Sequence, residues 1–357
     1  MNILRTILSV AFVLISLTVS SQTLSNKAAL NIKDAYNRAK IEYAAFEEKH
    51  GSFVQTDNVL MHCLTWGDPS DTALIWSHGS FTHSYELANV AENLVEGGYY
   101  VIAIDYYGHG KTPIPDHEVS IYHSADDILV LMDSLKIEKA VLGGFSRGGY
   151  VATAFYDSYP ERVLALILED GGSVAFNTYN HTMSNDSLQA KINHIALPEE
   201  LDKLYNSSYN TELEAYKSLY DPIEGGTQFE ILSVVKQKND KWITYAGLLD
   251  FFQMRDSAQF SNIVLKPTNA SLYGASITMV QPKIIFRNLQ VPMLILDPVS
   301  DNDPMPFEKE NIELQKKFPR LVKRIEYSNT EHNIHYEHPQ SFVKDLVEFL
   351  QKIKASK

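Results

Sequence analysis

Five apolar runs set the frame for this chain: "ALIW" at 73–76, "YYVIAI" at 99–104, "AVLGGF" at 140–145, "VLALIL" at 163–168 and "VPMLIL" at 291–296. Most are separated by stretches with helical patterning, near 84–96, 121–135 and 150–156. Continuous apolar strands alternating with helices predict a mostly parallel sheet covered by helices on both faces. The crossovers in such a sheet are right-handed. "VLMHCLTWGD" reads as a further strand ahead of this series, and "LVKRIEYSN" as one after it. A closing helix follows, with Phe342, Leu346, Phe349 and Leu350 on one apolar face and Pro339 near its first turn. Residues 27–48 form another helical pattern, with Leu30, Tyr36, Tyr43 and Phe46 among charges, ending at Gly51.

The alternation stops between 173 and 289, where the chain is long, polar and aromatic with helical patches such as "ELEAYKSLY" and "TYAGLLDFFQMRD". An inserted, mainly helical cap over the strand ends is the simplest account. The expected division is a signal peptide at 1–21 and a helical extension at 22–50. The α/β core then takes 51–172 and 290–357, with the cap at 173–289. In "MNILRTILSVAFVLISLTVSSQT" a lone Arg5 precedes an apolar stretch from Ile7 to Val19 and then small polar residues. Cleavage after Ser21 fits export to the periplasm or medium; a retained anchor is the competing reading, with a run short for a membrane span. Cys63 is the single cysteine, so no internal disulfide can form. A formal charge of −13 argues against nucleic acid and anionic membrane surfaces as partners.

The chemistry concentrates at Gly144-Phe145-Ser146-Arg147-Gly148, which fits G-x-S-x-G between a buried strand and a small-residue helix. A sharp strand-to-helix turn strains the backbone at Ser146, and the flanking glycines let strand and helix approach. The hydroxyl is then presented beside a helix N-terminus that favours developing negative charge. This is a site for a nucleophile, which needs a base, a group orienting the base and oxyanion donors.

"WSHGSFTHSYELANVAENL", "IDYYGHGKT", "GFSRGG" and "EHNIHYEHPQSFVKDLVEFL" occur in that order along the chain. Together they resemble the oxyanion loop, the Asp-x-x-Gly-x-Gly loop, the nucleophile elbow and the histidine loop of capped α/β-hydrolases. The resemblance implies Ser146 as nucleophile and His332 as base, although Glu331 stands where the family often has Gly. It implies the N–H groups of Ser80 and Arg147 as oxyanion donors, with Phe81 as an alternative to Ser80. His78 is expected to be structural beneath that loop, and the Arg147 side chain to point away from the reacting carbonyl. Four carboxylates near strand ends compete for the acid: Asp170, Asp297, Asp301 and Asp303. Asp297 comes too early after its strand, and Asp170 follows the preceding strand, a location some hydrolases use, but opens the insertion. Asp301 lies nine residues beyond Pro292, the family's usual distance, and is favoured. Asp303 stays as the alternative, because Pro298 replaces a frequent glycine.

His332, His335 and His338 recur at intervals of three, but Pro339 and the helix start make the last two ordinary loop or first-turn residues, so no metal is expected. No cofactor is implied either. The expected function is an exported serine hydrolase cleaving an ester or related acyl bond of a small-molecule substrate. A prolyl-aminopeptidase-like peptidase is one alternative, though that family usually has Trp where this chain has Arg147. A ligand-binding homologue with little turnover is the other.

Overall fold

The apolar runs become the middle of an eight-stranded sheet in the computed structural model, which describes residues 31–194, 199–245, 247–300 and 305–355. Its strands are β1 (Gly51–Gln55), β2 (Leu60–Trp66), β3 (Thr72–Ser77), β4 (Tyr99–Ile104), β5 (Ala140–Phe145), β6 (Val163–Glu169), β10 (Met293–Val299) and β11 (Val322–Ser328). They lie in the order β1-β2-β4-β3-β5-β6-β10-β11. The pairs β1/β2 and β2/β4 are antiparallel, and every other pair is parallel. The sequence does not announce β1. It is a short, half-exposed edge strand that hydrogen bonding to β2 creates, with Gly51 opposite Leu64 and Gln55 opposite Leu60.

Successive strand residues face opposite sides, and each side is covered as the patterning requires. Ile75, Ile102 and Leu142 face the helices Ile121–Ser134 and Arg147–Ser158, through Ile128, Leu131 and Val151. Leu74, Trp76 and Val101 face the helices Ala88–Glu96 and Pro339–Ala355, through Leu94, Phe342, Leu346 and Phe349. Burying a side chain of this kind contributes about 1.5–3 kcal/mol, so these two apolar layers are the main support of the sheet.

Between β6 and β10 run short helices, among them Asn185–Asn193, Glu212–Leu219, Ser257–Leu265 and Leu272–Met279. A small antiparallel sheet joins them, formed by β7 (Ser208–Tyr209), β8 (Lys236–Lys238) and β9 (Lys241–Ile243). The N-terminal helix, Ile32–His50, is capped by Asn31. It packs against this segment, with Tyr36 and Ala39 among Ala215, Tyr216, Ile231 and Leu232. The apolar stretch 7–19 and the expected cleavage point at Ser21 lie outside the described residues. Among the described residues no helix is long and apolar enough to cross a membrane.

The same N-terminal helix is tied to the sheet through a buried histidine. His62 Nδ1 donates to Asp105 Oδ2 at 2.6 Å and Nε2 to Glu47 Oε2 at 3.1 Å. Lys111 Nζ lies 2.7 Å from Glu47 Oε2. Asp105 also accepts from the backbone N–H of Ser84 at 2.7 Å and of Lys111 at 3.2 Å. Burial disfavours the imidazolium, but the hydrogen bonds to Asp105 and Glu47 outweigh it and push His62 up to about 9. A raised histidine stabilises the fold fully below its unfolded value, and that contribution fades as pH rises through the folded value. Stability is therefore expected to fall by on the order of 2 kcal/mol between pH 6.5 and 9.5. Urea melts of His62→Gln should lose this slope; an unchanged slope would show that another group carries it.

Candidate active site

Ser146 sits where β5 turns into the helix Arg147–Ser158, at φ 51° and ψ −118°. This conformation is sparsely populated for a non-glycine residue and costs about 1–3 kcal/mol, so the surroundings must enforce it. The Ser146 N–H is held by Glu169 O at 2.9 Å, and close packing on the helix side does the rest. A Cβ on Gly148 would stand 1.9 Å from the carbonyl oxygen of Ser77, and one on Gly144 2.3 Å from the Gly148 carbonyl carbon. The pattern G-x-S-x-G thus describes space that backbone already occupies. Gly148→Ala is expected to destabilise the protein by about 3 kcal/mol or more, visible as loss of soluble protein or a Tm drop of many degrees. A near-normal melt would mean that the elbow can relax.

His332 lies beside this elbow, its ring 4.7 Å from that of Phe145, the residue before the serine. Its Nδ1 donates to Asp170 Oδ2 at 2.5 Å, and both side chains are almost fully buried. Asp170 directly follows β6 and is itself left-handed, at φ 40°. Burial, then the charges of Asp297 and Glu169, push its carboxyl well above the ordinary range. The hydrogen bond from His332 Nδ1 works against that shift, because it favours the ionised carboxylate.

The sequence favours Asp301 for this place. The structure puts Asp170 there, while Asp301 and Asp303 both lie outside the described residues. The reason is sheet order: β6 is hydrogen-bonded to β5, so the residue after β6 emerges one strand away from the elbow. Asp297 is inside β10, where it pairs with Arg324 and accepts from Asn311 Nδ2 at 2.8 Å. That makes it a strut between strands.

After β3 the chain passes through His78-Gly79-Ser80-Phe81. His78 is fully buried, stacked on Tyr106 at 4.0 Å, with Nδ1 donating to Gly79 O at 2.7 Å. Burial lowers its pKa to about 4, so it is neutral. The Phe81 N–H donates to His109 Nε2 at 3.1 Å and is thereby occupied. The Ser80 N–H has no such partner among the described residues. The Arg147 N–H opens a helix, so no carbonyl one turn back can take it.

The family model described as the alpha/beta hydrolase fold matches residues 72–339 of the chain. The chain belongs to the α/β-hydrolase fold family. It is 34% identical over 116 residues to a putative 2-succinyl-6-hydroxy-2,4-cyclohexadiene-1-carboxylate synthase of Bacillus subtilis, covering 32% of this chain and 42% of that protein. It is 37% identical over 117 residues to a 2-hydroxy-6-oxononadienedioate/2-hydroxy-6-oxononatrienedioate hydrolase of Klebsiella pneumoniae, covering 32% and 40%. The chain thus spans about two fifths of the length of the curated relatives it matches. In three dimensions it resembles a carboxylesterase of Bacillus subtilis, with a TM-score of 0.56 at 18% identity over 89% of this chain and 98% of that one.

Behind the Asp170–His332 pair, this α/β-hydrolase carries a second polar array that its sequence did not suggest. Glu169 Oε1 accepts from the His335 N–H at 3.0 Å and from His335 Nδ1 at 2.9 Å. Glu86 accepts from Trp76 Nε1 at 2.9 Å and from Thr82 Oγ1 at 2.6 Å, and lies 4.0 Å from His335 Nε2. Burial opposes a charge on His335, but Glu169, by charge and hydrogen bond, and then Glu86 raise its pKa. The array joins the loop that carries His332 to the end of β6 and to the helical turn Ser84–Leu87. Three-residue spacing of the histidines therefore serves different partners: Asp170 for His332, Glu169 for His335, and Thr330 Oγ1 at 2.9 Å for His338. The adjacent acids Glu169 and Asp170 were the available signal for this arrangement.

The Arg147 side chain also departs from expectation. It reaches across to the loop after β3, where Nε donates to Ser80 Oγ at 3.0 Å, with Cζ 4.3 Å from the centre of the Phe252 ring. Phe252 lies between β6 and β10, and its ring centre is 5.1 Å from that of Phe81, so that stretch of chain meets the loop after β3.

Proposed function

We propose that the protein is a serine hydrolase that cleaves an ester or related acyl bond, with Ser146 as nucleophile, His332 as base and Asp170 as the orienting acid. One observation carries this reading: the strained serine at the end of β5 follows Phe145, whose ring lies 4.7 Å from an imidazole held at Nδ1 by a buried carboxylate at 2.5 Å. The Ser146 hydroxyl attacks the acyl carbon while His332 Nε2 takes its proton. Asp170 fixes the tautomer and stabilises the imidazolium that forms. The N–H groups of Ser80 and Arg147 receive the oxyanion. The proton then passes to the leaving alcohol, and water, activated by the same imidazole, releases the acid and restores the serine. The apolar N-terminal segment supports export of the enzyme.

A second reading takes its support from the Klebsiella relative, 37% identical over 117 residues. In it the same serine and histidine act on a 2-hydroxy-6-oxo-dienedioate-like compound. The test is labelling of Ser146 by a fluorophosphonate, followed by turnover of acyl esters, N-terminal-proline amides and such a dienedioate side by side. The proposal expects labelling at Ser146 and fastest turnover on an ester. Absence of labelling would defeat it, and fastest turnover on the dienedioate would transfer the assignment to the second reading.

A further inference from the structure

The reaction proposed above uses only the backbone of Arg147. Its guanidinium is left over, buried to 3% exposure beneath the inserted segment. Nε is engaged by Ser80 Oγ, and Nη2 meets only the thioether of Met254 at 3.9 Å. Nη1 is buried without a hydrogen-bond partner among the described residues, and so is the hydroxyl of Tyr273, whose ring lies 5.6 Å from Cζ. No carboxylate pairs with this cation among the described residues. The buried acids nearby are committed elsewhere, Asp170 to His332 and Glu169 to His335. The faces of Phe252 and Tyr273 recover part of the cost of burying a lone cation, but a buried guanidinium ordinarily has a counter-charge.

We infer that Arg147 anchors a free carboxylate carried by the substrate, so that this hydrolase acts on acyl compounds bearing a second, ionised acid group. The inference rests on the reading of Ser146 as nucleophile, because that reading makes the space above the elbow the acyl site. The Nη1–Nη2 edge suits the two oxygens of a carboxylate, which would replace a weak sulfur contact with two charge-assisted hydrogen bonds. An uncharged acyl chain would leave these donors unsatisfied.

Two measurements separate this inference from the reading beneath it. Fluorophosphonate labelling of the wild type tests the serine alone. Calorimetric titration of Ser146→Ala then compares monomethyl succinate, glutarate and adipate with their uncharged dimethyl esters. At least one monoester anion is expected to bind about tenfold or more tightly than its diester. The preference should vanish when Arg147→Met is added and be reduced with Arg147→Lys. Equal binding of every pair, or a preference that survives Arg147→Met, overturns the anchor even if Ser146 is labelled. If Arg147→Met does not fold, an undiminished preference in Arg147→Lys overturns it instead. Preference without labelling would remove the serine reading and leave the anchor standing.

Discussion

Ser146→Ala is expected to lower turnover by about 10⁴–10⁶-fold, the range seen when a nucleophile is taken from a Ser-His-acid unit. Loss of the hydroxyl should cost little in stability. The side chain makes no capping bond to its helix and is only half-buried. Alanine must adopt the same left-handed backbone, so strain is neither added nor relieved. Turnover of the best ester and the melting temperature should therefore separate cleanly, the first collapsing and the second nearly unmoved. Near-normal hydrolysis by a folded variant would place the nucleophile elsewhere. A collapse of both would show that the elbow, and not the hydroxyl, had been lost.

Asp170→Asn is expected to reduce kcat by about 10⁴-fold with little change in KM. The amide is nearly the same size and fits the same site. As an amide it can present an N–H to Nδ1, which favours the tautomer in which Nε2 carries the proton and cannot act as a base. Binding of substrate does not depend on that tautomer, so the loss belongs in kcat. Asp301→Asn and Asp303→Asn should be assayed beside it, because the sequence favours Asp301 where the structure brings Asp170. If Asp301→Asn is the crippled variant and Asp170→Asn stays active, the acid has been misassigned and the serine and histidine roles remain.

The sheet was legible because buried parallel strands leave a strong local trace: continuous apolar runs between helices, as in "YYVIAI" and "VLALIL". Ser146 was legible for a different local reason. The turn from β5 into its helix leaves no room for a Cβ at Gly144 or Gly148, so the constraint is written into five consecutive residues. His332 could be placed because the last strand and the closing helix bracket its loop. β1 left no such trace, since a half-exposed edge strand needs its neighbour more than any apolar pattern.

What the sequence determined by itself was the class of fold and the residue at the elbow, both set by interactions among near neighbours. The tertiary structure alone decided which acid meets His332. Asp170 and His332 are 162 positions apart, and only the pairing of β6 with β5 brings that strand end beside the elbow. It also decided the environment of Arg147, whose neighbours Ser80, Met254 and Phe252 come from distant parts of the chain. A local pattern can show that a charge follows the serine. Whether that charge meets water, an acid or aromatic faces depends on long-range packing, which leaves no periodic mark on the chain.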